Sequence, residues 1–170
     1  MTTTSSIKTL IIFDSYFGNT NQIAQSINSG IDAESTIIKH VDEVQPDDLI
    51  GVNLLIIGSP TRGFRPTEKI SAFIKRTVPS DLKKMNTATF DTRIALETIK
   101  SKAFRWMVNT GGYAARAMAR QLTGKKANLI AEPEGFFVTG EEGPLKDGET
   151  ERAKQWGKQL YDICLKSPAN

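Results

Sequence analysis

Two short runs, Leu10-Ile11-Ile12-Phe13 and Leu54-Leu55-Ile56-Ile57, are apolar at every position. A strand with one wet face alternates apolar and polar residues, so an unbroken run of this length requires a strand covered on both faces. After the first run the period changes. Residues 19–30 carry an apolar stripe at Ile23, Ala24 and Ile27 and end in Asn28-Ser29-Gly30, which is an amphipathic helix with its stop signal. Strand followed by helix, repeated, admits few architectures besides a parallel sheet with helices on both faces.

The repetition continues along the chain. Strands are expected over 8–14, 35–40, 52–58 and 87–91, with helical turns in 42–50 after Pro46. A helix is expected from Pro66 to Thr77, with Ile70, Phe73 and Ile74 inward, and another over 113–122. A fifth strand is expected from Asn128 to Ile130, with room to extend through Phe136–Val138, and a last helix over 149–165. The 170 residues suit one domain, 1–170, with 1–6 as a disordered leader. Five strands alternating with helices fit a three-layer α/β/α sandwich of order 2-1-3-4-5. Such folds bind ligands at the carboxyl ends of the strands, where the order reverses. The polar turns after Phe13, Gly58 and Phe90 should therefore meet in one cleft.

Composition narrows the chemistry. There is one cysteine, Cys164, and one histidine, His40, so neither a zinc site nor a Cys/His nucleophile pair is expected. Cys164 reads as a half-buried structural thiol and His40 as a surface residue at a strand end. No apolar run is long enough to span a bilayer, and the polar start MTTTSSIK is no signal peptide, so a cytoplasmic location is expected. Net charge is +3, unevenly spread: residues 92–126 hold eight Lys/Arg against Glu97, and residues 131–151 hold seven acids against Lys146. A solvated helix face is the simplest reading of the basic stretch. Nucleic acid is not the expected partner.

The first turn, Ser15-Tyr16-Phe17-Gly18-Asn19-Thr20, combines hydroxyls, an amide and a glycine at a helix start. Unpaired N–H groups and the helix dipole suit an anion there, and the absence of a lysine argues against a nucleoside triphosphate loop. The second turn, Pro60-Thr61-Arg62-Gly63-Phe64, puts an aromatic at a loop tip, where it can stack on a flat ring or fold back on its own protein. The third, Asp91-Thr92-Arg93, opens a long basic stretch that closes with Asn109-Thr110-Gly111-Gly112-Tyr113. That wall could equally be a capped helix start.

SYFGNT resembles the phosphate-binding loop of the flavodoxins, Ser/Thr-x-Ser/Thr-Gly-x-Thr, with Phe17 in place of the second hydroxyl residue. IIGSPTRGFRP is similar to their second flavin-contacting loop, and Asp91-Thr92-Arg93 stands where their third begins. The likeness runs from about Lys8 to Leu165 and is nearest the short-chain type. It implies FMN as cofactor, with Ser15, Tyr16, Phe17, Gly18, Asn19 and Thr20 around the phosphate. Pro60, Thr61, Arg62, Gly63 and Phe64 would line the ring, and Asp91, Thr92, Arg93, Gly112 and Tyr113 the far wall. No catalytic residue and no metal ligand is implied.

Two departures from that family bear on function. The chain is basic, and Arg62, Arg65 and Arg93 are expected at the ring end, where positive charge would raise the potential of the anionic reduced flavin. The segment 92–110, with Phe104, Trp106 and Met107, is long enough to be a lid, a partner anchor or packing. The resemblance implies a one-electron carrier, and the basic charge of 92–110 suggests a redox partner acidic at its docking face, opposite to the arrangement usual in that family. The alternatives are a flavin-dependent reductase of a quinone or porphyrinogen-like substrate, and a binding module that does not use flavin in turnover.

Overall fold

The unbroken apolar runs form the middle of the sheet, and alternate residues serve opposite cores. The computed structural model describes residues 6–167 except 32, 80, 84, 104 and 107–111. Its strands are β1 (Thr9–Phe13), β2 (Thr36–His40), β3 (Leu54–Pro60), β4 (Asn86–Ile94), β5 (Asn128–Leu129) and β6 (Glu134–Val138). Helices α1 (Asn19–Gly30), α2 (Glu68–Arg76), α3 (Ala114–Gly124) and α4 (Glu149–Lys166) cover the faces. The strands run β2-β1-β3-β4-β5, all parallel, with β6 also on β4. The expected order is the observed one.

Ile11, Phe13, Leu54 and Ile56 point to one core, shared with Ile23 and Ile27 of α1 and Trp156 and Leu160 of α4. Leu10, Ile12, Leu55 and Ile57 point to the other, against Ile70 and Ile74 of α2 and Met118 and Leu122 of α3. The first core contains an edge-to-face triad of Phe90, Phe136 and Trp156, with centroids 6.1–6.3 Å apart. α1 and α4 approach closely at two glycines. A Cβ on Gly30 would lie 1.9 Å from the Lys154 carbonyl oxygen, and one on Gly157 would lie 2.3 Å from that of Ile27.

The fifth strand position differs from expectation. β5 pairs with Asn86 and Thr87, β6 pairs with Phe90 to Ile94, and residues 130–133 break the ladder between them. Pro133, which has no N–H to donate, stands at the break. α2 starts after Pro66 rather than at it. Thr67 is its N-cap, and the Thr67 hydroxyl accepts from the Ile70 N–H at 3.3 Å. Among the expectations for 92–113, those on Phe104, Met107, Asn109, Thr110 and Gly111 lie outside the described residues, as does most of the leader. Trp106 is 67% exposed.

Cys164 is buried at 2% exposure, deeper than the half-buried position expected, and accepts from the Asn86 side-chain amide at 3.4 Å. Burial pushes its thiol up, with the Asn86 hydrogen bond opposing. The native protein should therefore leave Ellman's reagent essentially unreacted over an hour while the denatured chain releases one equivalent of thiolate; fast labelling of the native protein would contradict this burial. No described helix is long and apolar enough to cross a membrane.

Candidate functional site

The first turn is held by its own side chains in a shape that leaves N–H groups open. The Ser15 N–H donates to Asp14 Oδ1 at 2.9 Å, and the Gly18 N–H donates to Ser15 Oγ at 3.0 Å. Gly18, with φ 87°, turns the chain into α1, a left-handed position that a side chain would strain. The first N–H of α1 to find a helical partner is that of Gln22, on the Gly18 carbonyl. The N–H groups of Phe17, Asn19, Thr20 and Asn21 have no acceptor among the described residues. These donors at the positive end of a helix fit a phosphate monoester. The Asn19 amide, expected to face the anion, instead donates to the Glu142 carbonyl at 3.0 Å and ties the loop to residues 141–143.

The three turns converge as the strand order requires. The Thr20 and Thr92 hydroxyls lie 2.9 Å apart, joining the first turn to the third. The Thr61 N–H donates to the Thr92 carbonyl at 2.9 Å, and the Thr61 hydroxyl accepts from the Ala114 N–H at 3.1 Å, joining the second turn to α3. Between them lies a cavity of about 80 Å³, room for a phosphate-sized group. Ser15, Tyr16, Phe17, Asn19, Thr20, Pro60, Thr61, Arg62, Thr92 and Arg93 all line it. Ile94, Val138 and Glu141 line it too and were not expected.

Asp91 is not a wall of this cavity. Its carboxylate is fully buried and accepts a two-pronged bond from the Arg93 guanidinium, with Nη2 at 2.9 Å from Oδ2, and the Ala115 N–H at 2.7 Å. Burial pushes the carboxyl up, against the pull of Arg93, Ala115 and Thr61. The pair places the Arg93 guanidinium over the Tyr113 ring, 3.7 Å from its centroid. Asp91 therefore positions the third loop from behind, and Tyr113 lies outside the cavity lining, against Arg93, which is in it.

Two of the three arginines expected at the ring end are engaged in ion pairs. Arg93 is paired with Asp91, and Arg62 Nη1 lies 3.1 Å from Glu141 Oε1. The Arg62 guanidinium also sits 5.0 Å and 5.3 Å from the ring centroids of Tyr16 and Phe17, so the first turn has a cation over its aromatics after all. The Arg62–Glu141 pair is exposed, and parting it costs under about 1 kcal/mol. Arg62 and Arg65 exchange backbone bonds at 3.0 Å around Gly63 and Phe64, both at positive φ. Phe64 at φ 67° is a strained tip, as backbone outliers at ligand clamps often are. Gly63 and Phe64 face a groove beside the cavity rather than the cavity itself.

His40, expected at the surface of a strand end, ends β2 and is part exposed. Its Nε2 lies 3.1 Å from Asp14 Oδ1, while its Nδ1 accepts from the Asp42 N–H at 3.3 Å, which assigns the proton to Nε2. His40 thus braces the carboxylate on which the Ser15 N–H rests. Asp14 Oδ2 is buried with no hydrogen-bond partner among the described residues.

A parallel sheet of this order, with its polar turns gathered at the strand ends, defines the flavodoxin-like fold. Comparisons with known proteins agree. A flavodoxin from the domain Archaea superimposes with a TM-score of 0.73 over 94% of this chain and 99% of its own, at 17% identity. Flavodoxin 2 from Bacillus cereus gives 0.69 at 19% identity, over 91% of this chain and 98% of its own. The flavodiiron core of Synechocystis gives 0.70 at 16% identity, over 95% of this chain and 36% of its own length. In sequence, a flavodoxin from Aquifex aeolicus is 35% identical over 57 residues, 32% of this chain and 31% of that protein, so the match spans about a third of the curated relative. No family model matches the chain.

Proposed function

We infer that the chain is an FMN-binding electron carrier of the flavodoxin type. The observation that carries this reading is the meeting of the three turns through Thr20, Thr61 and Thr92, beside the open N–H groups of Phe17 and the first turn of α1. Those donors form a neutral cradle for a phosphate monoester, and the ring would lie against the Pro60–Phe64 loop once Arg62 leaves Glu141. FMN, when bound, supplies the electron transfer. The protein's own contribution is to bind the phosphate, to exclude water with Tyr16, Phe17 and Val138, and to set the field around the ring. The sequence similarity to a flavodoxin and the fold it shares with others support the same reading. A cytoplasmic location and a protein redox partner belong to this proposal.

The pairing of Arg62 and Arg93 with Glu141 and Asp91 changes the electrostatic expectation. Two of the three anticipated cations are compensated, so the ring end is less positive than the sequence suggests.

Photoreduction of the FMN-loaded protein, followed by visible spectra, tests the carrier reading. Reduction should proceed in two resolved one-electron steps, and the oxidised protein should remain unreduced with NADH or NADPH alone. Rapid direct oxidation of either nucleotide would make the chain a reductase instead.

A further inference from the structure

α2 and α3 lie side by side over the second core, with small residues facing each other across their outer seam. Ser71 and Ala72 on α2 and Ala117 on α3 leave room there. A groove of about 1200 Å³ begins at Tyr16 and the Arg62–Pro66 loop, and a second of about 430 Å³ continues it toward the end of α2, the two meeting at Ser71 and Gln121. Its charged lining is mainly basic. Arg65, Lys69 and Arg120 line the first part and Lys75, Arg76 and Lys125 the second, against the acid Glu68.

Some of these cations are already engaged: Lys69 pairs with Asp42, and the Lys125 ammonium donates to the Val78 carbonyl at 2.7 Å. Arg65, Lys75 and Arg76 are exposed and form no ion pair among the described residues. A row of such charges along a low-dielectric wall steers and orients an oppositely charged partner. Acids are concentrated in two stretches of the chain, 32–48 and 131–151, and the lining of the seam includes one acid, Glu68. The groove is open along its length, whereas a site for a small molecule encloses most of its ligand. An elongated, open, basic seam fits an extended acidic segment.

We propose that the α2/α3 seam is the docking surface for an acidic segment of the redox partner. This rests on the electron-carrier reading above. The seam runs into the Arg62–Pro66 loop, so a partner seated on it reaches the edge of the ring site while the phosphate cavity stays free.

The test is a titration of ¹⁵N-labelled protein with a polyglutamate peptide of about fifteen residues at low salt, where exposed charges are least screened. Amide shifts should concentrate in residues 62–76 and 116–125. The variant K75E/R76E should bind the peptide at least about tenfold more weakly, and raising salt to about 0.3 M should weaken the parent by a similar factor. FMN affinity should be equal in both proteins, which also reports that the variant is folded. Equal peptide binding by parent and variant, shifts centred elsewhere, or tighter binding of a single-stranded oligonucleotide than of the peptide would overturn the proposal. Running each titration with and without FMN separates the two claims. Seam shifts in a protein that takes no FMN keep the acidic-segment site and end the flavin reading. FMN binding without seam shifts does the reverse.

Discussion

Asp91→Ala is expected to destabilise the protein by about 3 kcal/mol or more, because it leaves the Arg93 guanidinium without its buried carboxylate. For a domain of this size that corresponds to a fall in Tm of roughly 6–12 °C. The cost does not mean that the pair is itself a large source of stability. Desolvation of Asp91 offsets much of what Arg93, Ala115 and Thr61 supply, and this is why burial pushes the carboxyl up. What is costly is half a pair. Asp91→Asn keeps an acceptor for the Ala115 N–H and should lose less, about 1–2 kcal/mol. The double variant Asp91→Leu/Arg93→Met removes both charges and should recover a large part of the loss. Urea unfolding of all three checks the ordering, and a loss below about 1 kcal/mol for Asp91→Ala would contradict the assigned pair. The effect should also reach the ligand, since Arg93 lines the cavity and is aimed by Asp91.

Gly157→Ala has the second-largest expected effect, and two opposing contributions decide its sign. Alanine is the better helix former by about 1 kcal/mol. Its methyl, however, would sit 2.3 Å from the Ile27 carbonyl oxygen, with further α1 backbone atoms at 3.0 and 3.1 Å. Backbone cannot rotate away as a side-chain tip can, so α1 and α4 must separate. Overpacking of this kind costs about 1–3 kcal/mol, and this contact belongs at or above the top of that range. A net loss of about 2 kcal/mol is expected, read from urea midpoints at unchanged m-value. Because α1 carries the open N–H groups at its N-terminus, the displacement should weaken FMN binding too. A stabilised Gly157→Ala protein would show that α1 and α4 are not in this close contact.

The chain gave away its sheet more readily than its site. TLIIF and LLII could only be strands covered on both faces, and each alternation of their side chains is found in one of the two cores. The break between β5 and β6 was less legible, although Pro133 was available as a signal in the presumed strand. The meeting of the turns at Thr20, Thr61 and Thr92 followed from the topology, because strand ends at the switch point must meet. The compensation of the arginines had two different degrees of legibility. Asp91 and Arg93 are two apart on one strand and so share a face, which makes their pairing readable in principle. Arg62 and Glu141 are 79 residues apart, and only the folded loops bring them together. Likewise, nothing local to His40 marked it as the brace of Asp14 across the β1–β2 pair.

The central claim is that the turn Ser15–Thr20 holds the phosphate of FMN, and riboflavin differs from FMN by that group alone. Parallel titrations of the flavin-free protein, followed by quenching of flavin fluorescence, measure what the turn contributes. FMN should bind at one equivalent per chain and at least about a hundredfold more tightly than riboflavin, as several charge-assisted N–H bonds to one phosphate imply. Equal affinity for the two flavins, or no quenching by FMN at micromolar concentration, would contradict the account.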